Sequence, residues 1–266
     1  MLPVAGYTER MHEPRRAARR RALVAVTALV VVVLVWRSPL PGRFGGDTRA
    51  ERAVTGIGQR RTVRLHDGSR VDLGVASTLV HPAPFAVTRR EVTLSGEAFF
   101  TVAADSTRPF VVTAGNAGIE TIRGTFAVRA YPEGTSVRVV VAEGAVRLRI
   151  ASAADTGETT VRDRQLARVS RAGAIVRQND VDVDRFTAWR TGRIILVGVP
   201  LRETLIELER WQDLDLEIGD SVVANRRVTA EFTTLQTFTE ILDEIALGIG
   251  ATYQWEGRVV TFRRDR

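Results

Sequence analysis

The sequence predicts a mainly β protein with a C-terminal α+β domain, preceded by one N-terminal transmembrane helix. Three observations carry that expectation: an uncharged apolar run at 22–36, period-two alternation over about 56–178, and a change to mixed strand and helix periods over 190–266. A chain of 266 residues accommodates one large domain or two modest ones, each able to bury a core without covalent staples.

Ala22 to Trp36 is free of charge and is held between Arg19, Arg20 and Arg21 on one side and Arg37 on the other. A helix of this length spans about 22 Å, against a hydrocarbon core of roughly 30 Å. Arginine stems lying along the acyl chains and slight bilayer thinning close the gap, and Trp36 suits the far interface. The rival reading is a cleaved signal peptide, but the run ends in Val35, Trp36, Arg37, Ser38 and Pro39 with no small-x-small cleavage site. An uncleaved anchor is expected. Residues 1–21 hold six Arg against two Glu, so the positive-inside rule makes them a cytoplasmic tail and exports the chain beyond the span. Pro39, Pro41, Gly42, Gly45 and Gly46 make 37–55 a juxtamembrane linker.

Alternation then dominates. Val63 and Leu65 precede, and Val71 and Leu73 succeed, an Asp67-Gly68 pair of the kind that closes a two-residue hairpin. Further short strands are expected at 91–94, 98–102, 110–113, 118–122, 126–131, 136–142, 145–150, 160–164, 165–170 and 174–177, with no helical period among them. The region 56–178 is therefore expected to be all-β: a sandwich, a jelly-roll-like stack or a short solenoid. Phe99, Phe100, Phe110 and Phe126 are its large apolar side chains and the expected core anchors. Gly68, Gly96, Gly124 and Gly144 fall where strands turn or backbones approach closely. Glu97, between Gly96 and three apolar residues, is expected to be partly buried and to need a donor such as Arg90 or Arg108.

After about residue 190 the pattern changes. Arg193–Val197 reads as a strand, and Pro200 stands ahead of a helix striped by Leu201, Leu205, Leu208 and Trp211. Leu216–Ile218 reads as a strand, and the cycle repeats with Val228, Ala230 and Phe232, then a helix striped by Leu235, Phe238, Leu242 and Ile245. Thr237 and Glu240 can form a capping box if the helix starts there, Gly248 and Gly250 end the helix, and a hairpin over 251–262 turns on Glu256-Gly257. The expected arrangement is a small βαβ-βαβ domain.

Several function classes are excluded or disfavoured. The chain has no Cys, which removes disulfides, thiolate zinc sites and a thiol nucleophile. It has no Lys and no phosphate-binding glycine loop, and its three histidines, His12, His66 and His81, are not spaced as ligands or as partners of a nucleophile. Asp180, Asp182 and Asp184 begin a calcium-loop spacing that Arg185 and Thr191 break. No cofactor and no metal are expected. The formal charge is +7, of which the tail supplies +4; the rest is mixed with acids along strands, so no nucleic-acid partner is expected.

The segments Arg61–Leu73 (with Asp67, Gly68 and Ser69), Ser77, Arg90–Ala103 (with Gly96, Glu97, Phe99 and Phe100), Arg108-Pro109-Phe110, Arg123 to Phe126 (with Gly124 and Thr125) and Val141–Val146 (with Gly144) resemble, in order and spacing, the domain of the FecR family. The last 70 or so residues resemble the small domain shared by secretins and the N-termini of TonB-dependent transducers. The resemblance implies an inner-membrane protein whose periplasmic part receives the state of a TonB-dependent receptor, in iron-transport regulation among other systems, through that receptor's signalling domain. It further implies an anti-sigma factor role toward an extracytoplasmic-function (ECF) sigma factor, relayed by a site-2-type intramembrane protease, and no metabolic enzyme activity. Some family members cleave themselves at a Gly-Thr bond, here Gly124-Thr125, by hydroxyl attack on the preceding carbonyl. Family members usually carry a longer cytoplasmic region than 21 residues. An upstream translation start, binding through a short Arg-rich tail, and loss of the sigma link are the alternatives. The competing reading is a membrane-tethered periplasmic binding or assembly module with no sigma-factor role.

Overall fold

A computed structural model describes residues 49–150 and 157–265. The tail at 1–21, the apolar run at 22–36 and most of the linker lie outside the described residues, and among the described residues no helix is long and apolar enough to cross a membrane.

Alternating apolar side chains need a face to bury, and here two sheets supply it to each other. Their strands are β1 (Arg49–Val54), β2 (Arg61–Arg64), β3 (Arg70–Leu73), β4 (Thr78–Ala83), β5 (Arg90–Val102), β6 (Phe110–Ala114), β7 (Ala117–Thr121), β8 (Gly124–Ala130), β9 (Ser136–Ile150), β10 (Glu158–Arg162), β11 (Leu166–Ser170) and β12 (Ile175–Gln178). The first sheet runs β1-β4-β5-β6-β7-β9-β10 and the second β2-β3-β5-β8-β9-β11-β12; every pair is antiparallel except β5 with β6. Of the expected all-β forms, this is a sandwich.

Two long strands belong to both sheets. The start of β5 pairs with β4 and β6, and its end with β3 and β8. Likewise β9 pairs first with β8 and β11, then with β7 and β10. The crossings fall at Gly96 (φ 110°) and Gly144 (φ 92°). A Cβ at Gly96 would lie 2.2 Å from the Ser77 hydroxyl oxygen, so only glycine allows this bend. The four separate strands expected at 91–94, 98–102, 136–142 and 145–150 are thus two continuous bent strands. Residues 49–54, expected as linker, form β1 instead: the Pro/Gly punctuation stops at Gly46, and β4 offers an open edge.

Between the sheets lie Phe100, Phe110 and Phe126 with Leu79, Leu94, Ile119 and Leu148, all buried. Phe100 stacks on Phe126 at 5.1 Å and meets Phe110 edge-on at 6.1 Å. Phe99 has the opposite parity and leaves this core for a second one.

That second core begins on the outer face of the second sheet, at Val75, Phe99, Ala127, Val140 and Leu166, and continues into the C-terminal elements. These are α1 (Asp184–Thr187), a 3-10 turn at Ala188–Thr191, β13 (Arg193–Pro200), α2 (Leu201–Trp211), β14 (Asp215–Ile218), β15 (Arg227–Thr233), α3 (Phe238–Ile249), β16 (Ala251–Glu256) and β17 (Val259–Arg264). The α2 stripe is as expected: Leu201, Leu205, Leu208 and Trp211 are buried.

Three expectations change here. β13 pairs antiparallel with β15, while β14 pairs parallel with β17, whose other neighbour is β16. The strands flanking each helix therefore belong to different sheets, because period identifies an element but not its neighbour. Leu235 lies ahead of α3 and is exposed; Ile241, Leu242, Ile245, Ala246 and Ile249 form the buried face. The helix also runs through Gly248 and stops at Gly250, where φ is 60°. The capping box is present: the Thr237 amide donates to Glu240 at 2.7 Å, and the Glu240 amide donates to the Thr237 hydroxyl at 3.4 Å.

Gly96→Ala combines a left-handed φ with a steric clash and is expected to cost roughly 2–6 kcal/mol. Gly118→Ala, at a position with no neighbour within 4 Å, is expected to stay within about 0.5 kcal/mol of wild type. Urea denaturation of the two variants side by side checks the corner.

Candidate functional site

The motif residues gather at two places. One is a buried node around Arg90, which is fully buried. Its guanidinium donates to Asp67 at 2.7 Å and to the carbonyls of Ala103 at 2.8 Å and Arg108 at 2.9 Å, and lies 5.4 Å from the Phe110 ring centre. Asp67 also accepts from the Ser69 amide at 3.0 Å and hydroxyl at 2.7 Å, beside Gly68 (φ 86°). The Pro109 carbonyl accepts from the Arg90 amide at 2.9 Å. One side chain thus ties the β2–β3 turn to the connection between β5 and β6, with every polar group satisfied. The node is structural.

The other place is the outer face of the second sheet, under the C-terminal elements. Glu97 is buried, but its partners are neither Arg90 nor Arg108: the bend at Gly96 puts Glu97 in the second sheet, Arg90 is held by Asp67, and Arg108 pairs with Asp105 at 2.8 Å. Cross-strand register sets Glu97 beside Arg129, Arg129 beside Arg138, and Arg138 beside Arg168. Arg129 donates to Glu97 at 3.0 Å, and Arg138 stands 3.6 Å from the same carboxylate.

From above, α2 contributes Glu207, which receives Arg129 in a close ion pair and Arg210 at 2.8 Å. Arg210 reaches Glu133 at 2.6 Å, and the guanidinium groups of Arg129 and Arg210 lie 4.8 and 4.0 Å from the Tyr131 ring centre. A second bridge joins Arg190 to Asp72 at 2.8 Å while Arg190 lies 3.9 Å from the Phe99 ring centre. Arg60 donates to the Trp189 carbonyl at 2.6 Å.

These environments divide the carboxyl groups. Burial pushes Glu97 above its ordinary range despite Arg129. Burial acts in the same sense on Glu207, but the charge and hydrogen bond of Arg129, with Arg210, hold it down at about 2. Asp72 is also lowered: hydrogen bonds from Thr62, Arg70 and Arg190 outweigh its burial.

Beside this cluster is a cavity of about 210 Å³, lined by Glu97, Arg129, Arg138 and Arg168 from the sheet and by residues of α1, β13 and α2. Sequence reasoning misses Arg129, Arg138, Glu207 and Arg210 because their strand and helix parity reads as a wet polar face. The one available signal is Glu207 with Arg210, a three-residue spacing beside the apolar stripe of α2.

Gly124 (φ 137°) faces Gly144, and a Cβ on it would come within 2.6 Å of the Glu143 carbonyl. Thr125 comes next in β8, opposite Thr101, and among the described residues its hydroxyl has no hydrogen-bond partner. Among the described residues no three His, Asp or Glu side chains are grouped to hold a metal. Asp184 is engaged by Arg193 at 3.0 Å.

Residues 51–147 match the family model described as FecR protein, and residues 193–262 the model described as FecR, C-terminal. Two crystal structures of a candidate anti-sigma factor from Parabacteroides distasonis ATCC 8503, at 1.65 and 2.50 Å, share the fold with TM-scores of 0.74 and 0.75. Each is 24% identical, and the matches cover 81% and 82% of this chain and 100% of the other. No curated protein sequence is similar enough to count as a relative.

Arg129→Ala leaves two buried carboxylates without their shared cation and is expected to cost about 3–5 kcal/mol. The pH profile separates the two acids. Glu207 is lowered, so its contribution is complete above its ordinary value of 4.5 and is lost as pH falls toward about 2. Glu97 is raised, so stability declines as pH rises past its ordinary value. In urea midpoints measured across the acid range, Glu207→Gln should flatten the loss at low pH and Glu97→Gln the decline above it.

Proposed function

The chain belongs to the FecR family, and from that membership we propose that it is a membrane-anchored signal transducer that regulates an ECF sigma factor as its anti-sigma factor. The observation that carries the reading is the match of both family models in their chain order, on a fold shared with a candidate anti-sigma factor. The apolar run at 22–36 would cross the inner membrane, with 1–21 in the cytoplasm and the two-layered β body in the periplasm.

A TonB-dependent receptor's signalling domain is the proposed periplasmic partner. Among the described residues β13, β14 and β16 each pair with a single strand, so each has an edge on which a partner strand can add through main-chain hydrogen bonds. The buried ion bridges join the C-terminal elements to the β sandwich, so force or binding at those edges acts on one body. Cleavage by a site-2-type intramembrane protease would then release the tail.

Affinity capture of the tagged full-length chain from membranes tests this. Recovery of an ECF sigma factor together with an outer-membrane receptor is the expected result, and recovery of envelope proteins alone would make the chain a tether instead.

Self-cleavage at Gly124-Thr125 belongs to the same proposal. The Thr125 hydroxyl attacks the Gly124 carbonyl carbon, the C–N bond breaks to free the Thr125 amine, and water opens the resulting ester to a carboxylate and a hydroxyl. The left-handed Gly124 supports it by permitting a distorted peptide. Fresh protein on a denaturing gel should give two fragments in place of the 29.3 kDa chain, and Thr125→Ala should restore the single band. A wild-type chain that stays intact removes this step.

A further inference from the structure

We infer that the 210 Å³ cavity between the β sandwich and the C-terminal elements is a binding site for a small oxyanion, phosphate or a short dicarboxylate, gripped by Arg138, Arg168 and Arg185. This goes beyond the transducer reading and stands or falls independently of it.

The case begins with the charges. Five arginines and three glutamates line the cavity. Glu97 and Glu207 are committed to Arg129, and Glu207 also to Arg210. Glu203 is exposed on α2. Arg193 is taken by Asp184 and Glu231. That leaves three cations undersupplied. Among the described residues Arg138 has only Glu97, at 3.6 Å, already engaged by Arg129. Arg185 donates, among the described residues, only to the Val197 carbonyl, at 3.0 Å. Arg168, next to Arg138 in register, has no acid or hydrogen-bond acceptor among the described residues.

Two further features point to an anion. The guanidinium groups of Arg138 and Arg185 lie 4.9 and 5.4 Å from the same Phe186 ring centre, an arrangement that leaves their N–H edges for a ligand. Trp189, 93% buried, lines both this cavity and the adjoining one beside Arg60 and Asp72, and its indole N–H, which has no acceptor among the described residues, is a buried donor that calls for one. The Arg138 guanidinium is also pushed down to about 10 by burial and by Arg129 and Arg168, the response of a cation short of negative charge.

Size sets the class of ligand. Sites for drug-sized molecules run to about 300–1,000 Å³, so 210 Å³ suits a small polyvalent anion, which the planar arginine fork can hold through paired hydrogen bonds. Such an anion would bridge strands β9 and β11 to α1, adding a tie between the layers that depends on its concentration.

The test uses the full-length chain in detergent micelles, titrated with inorganic phosphate or succinate against chloride at equal ionic strength, with the thermal midpoint and calorimetric heats as readouts. Saturable binding of one or both is expected, and comparison of the two arms separates the phosphate source from the carboxylate source. Arg168→Gln alters an exposed side chain that has no ion pair among the described residues, so the fold should survive; it and Arg138→Gln should weaken binding about ten- to hundred-fold. Arg89→Gln, in the loop ahead of β5 and paired there with Glu91, should change nothing. Absence of any saturable effect beyond chloride, or equal affinity in wild type and Arg168→Gln, overturns the proposal.

Discussion

Arg129 stands between two buried carboxylates, one from the sandwich and one from the helix above it, and the union of the two layers depends on that contact. Taking such charges out of water costs several kcal/mol per ion unless geometry and further hydrogen bonds offset it. Here the offset is distributed: Glu97 is shared with Arg138, Glu207 with Arg210 and the Trp211 indole, and Arg210 with Glu133. The apolar contacts of Phe99, Val140 and Leu166 with the C-terminal core supply area without direction, whereas the ion bridges admit one placement of α2 over the sheet.

The bridge in turn depends on two glycines. Because β5 bends at Gly96 and β9 at Gly144, each strand places its first and second halves in different sheets while both contribute to one inner core. The same bends send Glu97 and Arg138 to the outer face of the second sheet, in a row with Arg129 and Arg168. The Arg90 node keeps the turns at the far end of β5 together. Arrangement of the corners therefore precedes arrangement of the charges, and the cavity is a consequence of both: α2 satisfies one end of the row and leaves the other end cationic.

Much of this is legible in the sequence and some is not, for identifiable reasons. The Thr237–Glu240 cap and the α2 stripe rest on local geometry, and the structure contains both; the hairpin at Asp67-Gly68 is also present, but as a three-residue loop, His66 to Gly68, closed by Leu65 and Ser69, in which only Gly68 takes a positive φ. That Glu97 is buried and salt-bridged accords with its apolar neighbours; which arginine meets it does not emerge from them, since Arg129 and Arg138 reach it only across strand pairs. Period alone assigns Leu235 to a helix face because it ignores where a cap starts the helix. Gly96 and Gly144 stand out as special positions, yet whether a strand ends or bends there depends on residues some twenty positions away, Ser77 for the first and Arg123 and Gly124 for the second.

By itself the amino-acid order determined the mainly β class, the α+β character of the C-terminal elements and the elements' sequence along the chain, because side-chain parity, turn chemistry and helix caps act over a few residues. Tertiary structure alone decided which strands pair, that the C-terminal elements close over the second sheet and share its core, and which charges are left without partners in the cavity between them. Those outcomes turn on contacts between residues 30 to 120 positions apart, such as Glu97 with Arg129 and Asp72 with Arg190, and on whether a polar strand face meets water or another layer of protein.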